Sequence, residues 1–192
     1  MSGSEVKVSQ TLYVTSRAEW RSWLEEHYQS EPEIWLVYYR KETGKPRISY
    51  DDSVKEALCF GWIDSTVKSI DEGRFAQKFS PRKSKSQYSQ TNKERLKFLI
   101  EEGLVKEDVL ARIGDVAPEN FVFPEDIMEA LRSNEEAWKN FQRYSPPYQR
   151  IRIAFIDGAR SRPGEFEKRL DYFLRMTEED KQFGYGIEEF FA

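Results

Sequence analysis

WIDSTVKSIDEGRFAQKFS, residues 62–80, carries a period of two on both sides of a turn. WIDSTVKSI alternates as a strand does when one face is buried, because successive side chains of an extended backbone leave on opposite sides. Asp71-Glu72-Gly73 then reverses the chain in three residues, with glycine where a left-handed backbone is wanted. RFAQKFS returns as the partner strand and sets Phe75, Gln77 and Phe79 on one face. An isolated hairpin is marginal in water, so this one needs further strands and a helix to cover it.

Both lie upstream. TLYVT (11–15) reads as a short strand. Ser16 with Glu19 forms a capping box that opens a helix bearing Trp20, Trp23, Leu24 and His27 on one face. EPEIWLVYYRK (31–41) is a continuous apolar and aromatic run, the pattern of a central strand buried on both sides. ETGKPR turns the chain. Asp51 or Asp52 is expected to cap a second helix that buries Val54, Ala57 and Leu58 and stops at Gly61.

Downstream the period changes to that of helices. SQTNKERLKFLIEEG (89–103) has Ser89 as its cap, Leu96, Leu99 and Ile100 as its stripe, and Gly103 as its stop. Shorter helices are expected over 106–117, 124–132 and 134–143. Pro146 opens another that carries Tyr148, Ile151, Arg152, Phe155 and Ala159. Ser161 is expected to cap a last one built on Phe166, Leu170, Phe173 and Leu174. The fold class is therefore α+β: a small, largely antiparallel sheet with packed helices, followed by an all-helical C-terminal lobe. The expected division is a flexible N-terminus (1–10), an α+β lobe (11–87), a helical lobe (88–177) and a tail (178–192), forming one compact unit.

Composition narrows the function classes. The 192 residues hold 39% hydrophobic and 15% aromatic side chains, enough for a packed core. One cysteine, Cys59, forbids an internal disulfide and suits a reducing compartment. With one histidine, His27, a transition-metal centre lacks its usual clustered ligands, and no Gly-rich phosphate loop or nucleophile elbow occurs. The N-terminus has no apolar stretch of signal type, no run reaches membrane-spanning length, and a cytoplasmic location is expected.

Charge is uneven. From Arg74 to Lys97 there are eight basic residues and one acid, Glu94, a local balance of +7 in a chain whose net charge is −4. Such asymmetry speaks about partners rather than fold. Its centre, FSPRKSKSQYSQTN (79–92), has no acid at all. Arg82, Lys83 and Lys85 offer a guanidinium fork and ammonium charges, Ser86 a hydroxyl, and Asn92 an amide one turn after Ser89. Those groups suit a phosphate or carboxylate. Pro81 holds Ser80 extended and so aims Arg82. Trp62 and Tyr88 would add apolar surface, and Asp64 would pair with Arg82 or Lys68, or orient a ligand. A solvated basic loop is the competing reading of the same residues.

ALCFGWID (57–64) followed by Phe79, Pro81, Arg82, Ser86 and Asn92 resembles the bacterial YdeI/OmpD-associated, or bacteriocin-protection, family. The likeness extends to Trp20, Trp23 and Leu24, to the strand around Trp35 and to the helical tail, from about residue 12 to about 175. Ser65 stands where the family has glycine, and Tyr88 where it has tryptophan. The resemblance implies a bacterial cytosolic protein linked to envelope or peptide-antibiotic stress, with no reaction assigned.

The reading that follows is a binding protein for an anionic, phosphate-bearing small molecule or nucleotide, held between the lobes by Trp62, Asp64, Arg82, Lys83, Lys85, Ser86, Tyr88 and Asn92. No catalytic residue, metal or cofactor is assigned. Single-stranded nucleic acid ranks behind it, since a pI near 5.3 opposes a general polyanion surface. One alternative is an enzyme on a small phosphorylated or carboxylated substrate, with Asp64 as acid/base and Arg82 as clamp. Another is an adaptor docking an acidic protein. Arg143, Arg150, Arg152, Arg160 and Arg162 form a second basic group that either joins the anion site or balances surface acids. On this reading Arg82→Ala weakens phosphate-type binding, and Lys168→Ala on the last helix changes almost nothing.

Overall fold

The structure, a computed structural model, describes residues 10–83, 87–114 and 116–191. The chain forms two compact units: Met1–Ser86 with Phe98–Asp115, and Gln87–Lys97 with Val116–Ala192.

The hairpin is the spine of the first unit. Strand β1 (Thr11–Leu12) runs parallel to β2 (Ile34–Tyr39), which pairs antiparallel with β4 (Arg74–Pro81), and β4 pairs antiparallel with β3 (Trp62–Ser69). The order is β1-β2-β4-β3, a four-stranded mixed sheet with β2 and β4 inside. A register shift between Asp64 and Val67 marks an irregularity in β3. As expected for an interior strand, β2 is buried from Ile34 through Tyr38.

Helices α1 (Arg17–His27) and α2 (Tyr50–Cys59) supply the cover. Ser16 caps α1 by accepting from the Glu19 N–H at 3.2 Å, while the Glu19 carboxylate reaches back to the Thr15 N–H at 2.7 Å. The cap of α2 is Ser49, not Asp51 or Asp52. Its hydroxyl accepts from the Asp52 N–H at 3.0 Å and donates to the Asp52 carboxylate at 2.8 Å. The aspartates sit in the first turn, where they favour the positive end of the helix dipole. Buried polar groups tie the helices to each other and to the sheet: Trp20 Nε1 of α1 donates to Ser53 O of α2 at 3.0 Å, and Tyr38 Oη of β2 to Ser53 Oγ at 2.8 Å. Gly61 turns α2 into β3 at φ 70°, a left-handed conformation that glycine takes without strain.

Helix α3 (Gln90–Glu101) crosses the division after Lys97, and α4 (Glu107–Ile113) completes the first unit. The second unit contains α5 (Glu125–Arg132), α6 (Glu135–Phe141), α7 (Pro146–Asp157) and α8 (Glu165–Glu178). Its core gathers Ile127, Leu131, Phe141, Tyr148, Ile153, Ile156 and Phe173. Ser145 caps α7 ahead of Pro146, whereas α8 starts at Gly164 (φ 73°) instead of Ser161. The C-terminal region is helical, and the fold is α+β.

Candidate functional site

The residues singled out from sequence divide between the units. In the first, Trp62 is 1% exposed and its indole N–H is taken by Tyr28 O at 3.0 Å, so the ring is core rather than a stacking platform. Asp64 Oδ2 accepts from Gln77 Nε2 at 2.6 Å and from Tyr50 Oη at 3.1 Å. These partners are neutral, where an ion pair to Arg82 or Lys68 was expected. Arg82 lies half-buried at the end of the hairpin, its backbone N–H held by Gly61 O at 2.9 Å, and Lys83 is exposed. Lys85 and Ser86 lie outside the described residues.

In the second unit Ser89 caps α3 through the Asn92 N–H at 3.3 Å. Asn92 is nearly buried, and its side-chain oxygen accepts from Arg95 Nη1 at 3.4 Å. Tyr88 is half-buried. Arg95, also buried, turns to the C-terminal segment, donating to Gly186 O and pairing with Glu189 at 3.1 Å. Asn92 thus helps position the arginine that fastens the segment 183–191.

The second basic group resolves residue by residue. Arg143 pairs with Asp180 at 2.6 Å, Arg150 makes a two-pronged contact with buried Glu94 at 2.7 and 2.9 Å, and Arg160 bridges Asp126 and Asp157. Arg162 donates to Gly158 O. Arg152 differs from all four. It is 6% exposed, its Nε is buried without a hydrogen-bond partner, and among the described residues no acceptor receives its guanidinium. Aromatic rings surround it instead: Phe183 at 3.9 Å, Phe155 at 5.1 Å and Phe173 at 5.8 Å from the guanidinium carbon. Burial pushes its pKa below the ordinary arginine value, the mark of a cation short of compensation.

Arg152 lines a cavity of about 580 Å³ that lies wholly within the second unit. Thr91 of α3, Ile151 and Phe155 of α7, Glu165, Lys168, Arg169 and Tyr172 of α8, and the segment Phe183–Ile187 complete its wall. Arg169 is already engaged, by Glu165 at 2.8 Å and by Phe155 O at 2.7 Å. Lys168 is exposed. The 183–191 segment is fixed by Tyr148, whose hydroxyl accepts from the Phe183 N–H at 3.0 Å, and by Arg95. Gly184 permits the wall to form: a β-carbon there would meet Ile187 at 2.4 Å. A large concave site with apolar walls and one buried, unmatched cation is the usual form of a small-molecule site.

The sequence put Arg152 among five arginines but had no means of separating it from the three that pair with acids or from Arg162, which has a backbone carbonyl. Its one signal was position, on the same face of α7 as Ile151, Tyr148 and Phe155. Lys168, expected to be remote from any site, lines the cavity. Among the described residues no group of histidine, cysteine and carboxylates could hold a metal, and no helix is long and apolar enough to cross a membrane.

Residues 12–112, more than half of the chain, match the family model described as Domain of unknown function (DUF8412). Residues 120–180 match the model described as Bacteriocin-protection, YdeI or OmpD-Associated. The second match falls on the helical region, while the ALCFGWID segment lies within the first. No curated protein and no solved structure matches the chain.

Proposed function

We propose, for a chain that belongs to the family matched over residues 12–112, that its function is to bind a small organic anion in the Arg152 cavity. The observation that carries this reading is Arg152 itself. A guanidinium brings five N–H donors, and here Nε is buried without a partner while no carboxylate of the described residues meets the charge, so a bound anion would supply the missing compensation. Arg150, by contrast, has its charge met by the Glu94 carboxylate. The anion expected from sequence therefore keeps its charge class but moves from the basic stretch to the second unit. Lys168 at the rim adds long-range attraction without being desolvated.

The test is thermal melting of the full chain against sulfate, inorganic phosphate, nucleotides and small carboxylates. The wild type gains stability with at least one anion. Arg152→Gln abolishes that gain, and Lys168→Ala reduces it, reversing the order expected from sequence. Retention of the full gain in Arg152→Gln, with its loss in Arg82→Ala, would return the site to the basic stretch.

A further inference from the structure

Resting on that reading, we infer that the ligand is a carboxylate on an aromatic or branched apolar body, its head on Arg152 and its body along the rings of the cavity. The volume, about 580 Å³, is far more than a bare anion occupies, so most of any fitting ligand is something other than its charge. The wall available to that remainder is apolar: Ile151, Phe155, Phe183 and Ile187, with Tyr172 beside them.

The head follows from charge. Arg152 is the one buried cation of the wall that has no acceptor among the described residues. Arg169 is spent on Glu165 and Phe155 O, and Lys168 keeps its charge in water. A monoanion matches one desolvated cation. A phosphate dianion would carry a second charge into the same apolar space, beside Glu165, with no second buried cation to meet it. Geometry agrees. The Phe183 ring lies 3.9 Å from the guanidinium carbon, and a planar, two-oxygen acceptor is the shape that matches guanidinium N–H donors in pairs.

Calorimetric titration of the full chain with phenylacetate, phenylacetamide, phenyl phosphate and inorganic phosphate tests this. Phenylacetate is expected to bind, with the isosteric amide weaker by about tenfold or more because it leaves the guanidinium without an anion. Phenyl phosphate is expected to bind less tightly than phenylacetate. Arg152→Met should lower phenylacetate affinity by about tenfold or more while keeping the helical spectrum and cooperative melt; Arg152→Gln is the second variant should that one fail to fold. Phenyl phosphate binding more tightly than phenylacetate, and only with Arg152 present, would overturn the carboxylate assignment and leave the anion site standing. Phenylacetate binding equally to wild type and Arg152 variants would overturn both. No heat from any compound would overturn the carboxylate assignment.

Discussion

Cys59 closes α2 with no exposed surface. Burial, with the Glu56 carboxylate nearby adding to it, pushes its thiol up to about 11. A thiol held protonated is a poor nucleophile, so Ellman's reagent should label the native protein far more slowly than the urea-unfolded chain. The same shift has a sign in stability. Between the ordinary value of 9.0 and about 11 the unfolded chain has lost a proton that the folded one keeps. Stability is therefore complete below pH 9 and falls above it, by about 1.4 kcal/mol per pH unit from this group alone. Urea titrations at pH 8, 9 and 10 should show a shallower decline in Cys59→Ala than in wild type; an unchanged decline would count against the burial. Burial of Cys59 was legible from its apolar helix end. The fate of Asn92 was not, because Arg95, which it helps to orient, reaches a carbonyl 91 residues downstream.

Caps and buried pairs set the energetics of the elements. Ser49→Ala removes both bonds that close the start of α2 and should cost about 1 kcal/mol, whereas Asp51→Ala should cost only a few tenths. Denaturation midpoints of the two variants compare them directly, and equal losses would return the cap to the aspartates. Asp51 and Asp52 were expected to cap because both have capping side chains, but Ser49, just upstream with a side chain of the same kind, is the residue that does. The hairpin was easier. Its alternation and its aromatic face pointed one way, and the structure pairs Ser69 with Phe75 and Asp64 with Phe79 across it, although Gly73 does not take the left-handed backbone expected of it. In the second unit the Glu94–Arg150 pair has side chains 3% and 14% exposed. Glu94→Ala strands a mostly buried guanidinium and should cost about 3–5 kcal/mol, a drop visible in any unfolding titration. A loss below 1 kcal/mol would show that water reaches Arg150 in the folded state.

For the whole molecule, a run of like charge in the sequence does not say which of its members are already paired. The run from Arg74 to Lys97 is conspicuous in the sequence, yet Lys78 pairs with Glu33, Lys97 with Glu119 and Arg95 with Glu189. Arg152 stands outside that run, and what distinguishes it is burial without an acid, a property of packing that no spacing encodes. An unmatched buried cation also opposes folding, so Arg152→Met should stabilise the unliganded protein by on the order of 1–2 kcal/mol after the lost contact with Phe183 is subtracted, and its melting temperature should rise. A lower melting temperature would mean that the guanidinium is structural. The most direct measurement is a crystal of the full chain grown with 4-bromobenzoate, its bromine located by anomalous scattering. A bromine site within the cavity is expected, with carboxylate oxygens about 2.7–2.9 Å from the Arg152 guanidinium. A bromine site only elsewhere, with no acceptor on Arg152, would contradict it.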